Sequence, residues 1–282
     1  MSTYTVARDD FKNSISSSVV LGVVAALAAI VALTFVAESG QYDDPYRTLF
    51  DVTQAVILLG PILVAPLAYQ CIVGERVSGR ITFAMGLPNS RAEYFAGKLL
   101  SRFAIALLAV GCSAVLGFAV AALTFTSAPD LGRFAVFTGA TALYLLSFVS
   151  ISLGLSALAN DRTTAMVGAL ATYFLLIPFW GGFTPFVNLD TVITGVGHLI
   201  GSPLSDATRE AIRNLSPWKA YGGSTASLYT DVGGGYQRLP SIPPEKTDEM
   251  YRQTARNVLT LVGWSTVPLV VGYVKFRVAE LR

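Results

Sequence analysis

The chain has 282 residues, 53% of them hydrophobic and only 13% charged, with a net charge of +2. Soluble domains carry about 25% charged residues, so this composition excludes an ordinary soluble domain and indicates a polytopic membrane protein. So small a charge, with no basic tract, argues against nucleic-acid binding.

Tyr4, Ala7, Phe11 and Ile15 recur at steps of three and four, with Arg8, Asp9, Asp10 and Lys12 elsewhere. That pattern predicts an amphipathic helix over 1–14 lying on the membrane surface. Six apolar runs follow, at 15–37, 52–73, 99–125, 134–159, 164–180 and 257–275. Crossing a bilayer takes about 20 residues, so each reads as a transmembrane helix. The first exceeds the 7–15 or so of a signal-peptide core and reads as a retained helix. The expected fold is an all-α polytopic membrane protein with six transmembrane helices and an interfacial N-terminal helix. Residues 1–282 form one membrane domain on this reading: helices 1–5 over 15–180, an external loop over 181–256, then helix 6 and a tail over 257–282.

Basic residues set the orientation. Arg8, Lys12, Arg76, Arg80, Arg91, Lys98, Arg102, Arg162, Lys275, Arg277 and Arg282 fall on one side, against Arg47 and Arg133 in the short loops opposite. The excess places both termini and the 74–102 segment in the cytoplasm of a multi-pass cell-membrane protein.

The 74–102 segment is charged and rich in turns, yet Ile81, Phe83, Met85 and Leu87 lie inside it. Exposed apolar side chains beside fixed charges suit docking onto a soluble protein. A short helix fits between Glu75 and Leu87, broken by Gly79 and Gly86. Ser90 and Glu93 form a capping-box pattern and Pro88 blocks any helix arriving from upstream, so the third span starts near Arg91.

In the fourth span Ala140, Tyr144, Ser147, Ser150 and Gly154 share a helix face. Small residues of this kind serve close helix packing in lipid, and a substrate path would use the same face. Beyond Pro178 an aromatic stretch reaches Phe186; the apolar but broken 186–200 either lies outside or dips into the outer leaflet. Asp206 to Arg213 reads as a helical stretch.

Apart from Arg102 and Lys275 near their ends, the runs hold no Asp, Glu, Lys, Arg or His. Proton-coupled carriers and intramembrane hydrolases need such groups at depth, so both classes are disfavoured. His198 has no clustered partner, Cys71 and Cys112 read as buried small hydrophobes, and no metal site is expected. There is no G-x-x-x-x-G-K-[ST] loop, so the chain does not bind ATP in that manner.

Glu75-Arg76-x-Ser78-Gly79-Arg80, then Gly86-Leu87-Pro88-x-Ser90-Arg91-x-Glu93 and Gly97-Lys98-Leu99, resembles the cytoplasmic signature of ABC-2 type transporter permeases. The branch with nitrous-oxide-reductase maturation and sodium-efflux permeases is the most similar. Six spans and Leu215-Ser216-Pro217-x-x-Ala220-Tyr221 in the long loop add to the resemblance. It implies a permease without enzymatic activity that pairs with a second copy or paralogue and docks a cytosolic ATPase, which would hold the ATP and magnesium. Membrane lipid is the other expected partner; no cofactor is bound directly. By the resemblance, Glu75, Arg76, Gly79, Arg80, Phe83, Met85, Leu87, Pro88, Ser90, Arg91 and Glu93 would couple to the ATPase, with Pro88 and Ser90 fixing the angle at which the third helix enters. Tyr144, Ser147, Ser150 and Gly154 would line a substrate path. The rival reading is a membrane anchor, sensor or assembly protein that recruits a soluble partner through 75–98.

Overall fold

A computed structural model describes residues 2–86, 90–184, 187–229 and 247–279. Among these every regular element is helical, and six helices are long and apolar enough to cross a bilayer. In chain order they are α1 (Thr3–Ile15), α2 (Ser18–Glu38), α3 (Tyr46–Val64), α4 (Val73–Val77), α5 (Arg80–Gly86) and α6 (Arg91–Thr124). Then come α7 (Leu131–Leu158), α8 (Arg162–Phe174), α9 (Leu189–Leu199), α10 (Asp206–Asn214), α11 (Pro217–Thr225) and α12 (Thr247–Val278). The spans are α2, α3, α6, α7, α8 and α12.

Local signals fix the helix ends. Ser17, Asp130, Asp161, Asn188 and Ser205 each accept the amide three residues on, the N-cap arrangement that satisfies a first-turn donor. The Ser90–Glu93 capping box is complete in both directions. Prolines shape two spans. Pro61 sits inside α3, which tightens into a 3-10 turn at Ala65–Leu67. Pro178 interrupts the end of α8, where Trp180 N–H reaches back five residues to Leu175 O at 3.1 Å.

α7 is the central helix. Tyr144, Leu145, Ser147, Val149, Ser150 and Leu153 are all fully buried. Its closest neighbour is α12: a Cβ on Gly154 would stand 2.5 Å from Pro268 O, and one on Gly272 2.7 Å from the Gly154 Cα. Only glycines permit two helix backbones to approach so nearly.

The two ends of the bundle differ. At one, Lys98 bonds Asp10 of α1, and Arg91 reaches the end of α12, so α1 and the C-terminal end of α12 lie on the same side. At the other, Ser127 N–H bonds Asp43 O at 3.0 Å and the Trp264 ring N–H bonds Leu215 O at 2.8 Å.

The 181–256 loop is more structured than its broken hydropathy suggested. It holds α9, α10 and α11, and α12 begins at Thr247. Among the described residues of the loop, α11 enters the bundle, and α9 buries only Ile193 and Gly197. Pro217, Ala220, Tyr221, Ser224 and Thr225 are buried, whereas Val192, Val196 and Leu199 of α9 are exposed. Tyr221 stacks on Tyr144 with ring centroids 4.6 Å apart, and its hydroxyl lies 2.7 Å from that of Thr141. Pairing the hydroxyl is what lets a tyrosine sit this deep.

On α1, Tyr4 is exposed while Phe11 and Ile15 pack against the core as the pattern predicts, and Thr3, Val6 and Asp10 lie against α6. A Cβ on Gly97 would stand 2.6 Å from Val6 and 3.1 Å from Thr3 O. Asp10, a polar residue in the hydropathy pattern, points inward because its partners do.

Candidate functional site

At the basic end, α4 and α5 form a short helical knob. Gly79 joins them at φ 71, a left-handed conformation that other residues adopt only with strain. Ile81 is fully buried and anchors α5, while Val77 and Phe83 face outward, Phe83 at 81% exposure. Arg80 is exposed and, among the described residues, donates to Ser78 Oγ at 3.2 Å.

The base of the knob is bonded to the spans. The Ile72 and Val73 amides donate to Ser156 Oγ on α7 at 3.0 and 3.1 Å. In the reverse direction Arg76 donates to Ala159 O at 2.7 Å and Ala157 O at 3.2 Å. That guanidinium caps the α7 C-terminus, where carbonyls lack amide partners and the dipole favours a cation. Arg91 does the same for α12, donating to Phe276 O, Arg277 O and Ala279 O at 2.9, 2.8 and 2.7 Å.

Glu75 faces inward. It accepts the Tyr94 hydroxyl at 2.5 Å and a bond from Lys98, whose ammonium also reaches Asp10 at 2.6 Å. Arg102 pairs with Asp10 at 2.9 Å. Lys98 is only 4% exposed. A buried ammonium is costly without anions beside it, and two carboxylates supply them. Burial alone would raise the Asp10 pKa, but Lys98 and Arg102 outweigh it and hold the group below its ordinary 3.8. The network thus ties α1, α4 and α6 together.

The residues singled out in the sequence therefore separate. Glu75, Arg76, Arg91 and the Ser90–Glu93 box make contacts within the chain. Arg80 and Phe83 are exposed, and Met85 is half-buried against the core. Leu87 and Pro88 lie outside the described residues. Tyr144, Ser147, Ser150 and Gly154 are packed between α7, α11 and α12 and line no open passage in this conformation. Asp10 and Tyr94 are the functional candidates missed; Asp10 facing a Lys98/Arg102 pair four residues apart was the available signal.

Among the described residues no group of three or more His, Cys, Asp or Glu could hold a metal ion. Cys71 is buried, and burial pushes its thiol up to about 11.

The six-span bundle with a helical knob at one end defines a multi-pass membrane protein. The family model for "ABC-2 family transporter protein" matches residues 4–281, so the chain belongs to the ABC-2 transporter family and is an ABC transporter permease subunit. It is 27% identical over 208 residues to the probable ABC transporter permease protein NosY of Pseudomonas aeruginosa, covering 70% of this chain and 73% of that one. To the protein of the same name in Stutzerimonas stutzeri it is 26% identical over 189 residues, covering 62% and 66%.

Proposed function

We propose that this permease couples ATP hydrolysis by a separate cytosolic ATPase to export of a substrate, and that the α4–α5 knob is the coupling element. The knob, the chain termini and the 157–162 turn face the cytoplasm on this reading. The observation that carries it is the knob's two-sided construction: Arg80 and Phe83 are presented outward, while its base is bonded to α6 and α7 and, through Lys98, linked to Asp10 of α1. A partner that grips the outer face and moves with its nucleotide state would shift three helices at once. Such coupling needs only two packings of the spans that ATP and substrate bias differently.

The working unit pairs two permeases, as the family resemblance implies. The Ser147–Gly154 face does not serve that pairing, because α11 and α12 cover it within the chain. A photo-crosslinking residue at position 83 tests the docking. It should capture the ATPase encoded with this permease when the two are co-expressed, and a crosslinker at Leu131 on the opposite end should not. Capture from Leu131 alone would overturn both the docking and the orientation.

A further inference from the structure

Two cavities meet at Pro66. One, of about 210 Å³, is apolar and opens between α3 and α8, walled by Ile62, Ala65, Tyr69, Leu170 and Tyr173. The other, of about 500 Å³, lies at the basic end between α1, the 66–75 segment and α6. Arg80, Lys98, Arg102 and Arg162 reach it, with Asp9, Asp10 and Glu75. Pro66 lines both.

The two form one surface. Ile62, Pro66 and Gln70 are exposed at four-residue spacing, and one step on, the Arg162 guanidinium stands 4.0 Å from where a Gly74 Cβ would be. The line runs from apolar to cationic within about three turns.

Charge accounting then singles out two arginines. Asp10 and Glu75 are taken up by Lys98 and Arg102, which leaves Asp9 as the one other carboxylate lining the cavity, against two arginines. Arg80 and Arg162 join no ion pair among the described residues; Arg162 makes only a long 3.5 Å bond to Gly74 O, and Asp161 beside it caps Thr164. The polar cavity also lies where α6 passes from charged to apolar, the level at which a spanning helix meets the headgroups. Glu75 is bonded to Lys98, and α6 carries no charged residue from Phe103 to Thr124.

We propose that the joined groove binds an anionic phospholipid, with an acyl chain in the α3–α8 cleft and its phosphate against Arg80 and Arg162. In a bilayer the apolar half fills with lipid chains, and the cationic half adjoining it selects which lipid supplies them. A free phosphate would use only half of the site. The proposal does not depend on the ATPase.

The test is lipid retention by the purified full-length permease alone, read by native mass spectrometry after exposure to phosphatidylglycerol or phosphatidylcholine of matched chains. Wild type should retain phosphatidylglycerol preferentially. Arg162→Ala should reduce the preference about fivefold and Arg80→Ala/Arg162→Ala by roughly thirtyfold, given about one such factor per lost cation near an anionic headgroup. Arg80→Lys/Arg162→Lys should largely restore it, separating charge from fold. Leu170→Trp, which fills the cleft, should lower retention of both lipids, and Arg47→Ala at the opposite end should change nothing. Excess glycerol phosphate should not displace the lipid. Undiminished preference in the double alanine variant, or displacement by glycerol phosphate, would overturn the site.

Discussion

Tyr144 on α7 donates its hydroxyl to Ile57 O on α3 at 3.0 Å, the carbonyl that Pro61 leaves without its i+4 amide. Tyr173 of α8 donates to the next carbonyl, Leu58 O, at 3.1 Å. A proline bend in lipid is tolerated where a neighbouring helix satisfies the freed carbonyl, and here α7 supplies the Tyr144 hydroxyl.

Tyr144→Phe should therefore destabilise the protein by about 0.6–2 kcal/mol, since the acceptor is left bare in an apolar interior. In a Pro61→Ala background, where the helix provides its own donor, the same substitution should cost markedly less. Unfolding of the four proteins of this cycle in one detergent measures the coupling; equal costs in both backgrounds would contradict the pairing.

Gly154→Ala places a methyl against the α12 backbone and should cost about 1–3 kcal/mol or more, as overpacking does. Gly272→Ala should behave alike. Gly263→Ala on the same helix meets nothing within 4 Å and should be near neutral. Thermal melts of the three variants check the contrast.

The spans, the capping box and the Gly79 break were legible because each rests on short-range chemistry: run length, cap pairing and a left-handed turn. The destinations of the charges were not. Glu75, Arg76 and Arg91 read as exposed docking groups, since hydropathy does not show that α7 and α12 end beside them with open carbonyls. Tyr221 is similarly opaque. Only the packed bundle reveals the partners Tyr144 and Thr141 that make its burial tolerable.

Lys98 sits between two carboxylates, so Lys98→Met should be severe, at about 3–5 kcal/mol, because it leaves Asp10 and Glu75 without their shared cation. Glu75→Gln should cost less, since Lys98 keeps Asp10. The ranking is read from denaturant unfolding and follows from Glu75 facing Tyr94 and Lys98.

Asp10 also sets a pH dependence. Its folded pKa lies below the ordinary 3.8, so its contribution to stability is fully present above that value and is lost as pH falls through the folded pKa. The stability difference between wild type and Asp10→Asn should hold constant at pH 5 and above and shrink below about pH 4. A difference that grew on acidification would have the wrong sign.

The coupling role of the knob is tested most directly with Arg80→Ala/Phe83→Ala, two exposed residues of α5, beside Arg162→Ala as the control that separates loss of the proposed lipid from loss of docking. Exposed side chains of this kind contribute little to stability, so the variant should insert and purify like wild type. Docking contacts at a buried interface often cost about 2 kcal/mol or more each when truncated, enough to weaken a complex roughly thirtyfold. ATPase co-purification and permease-stimulated ATP hydrolysis should therefore both collapse, while Arg47→Ala leaves them unchanged. Wild-type co-purification and hydrolysis in the double variant would contradict the coupling role.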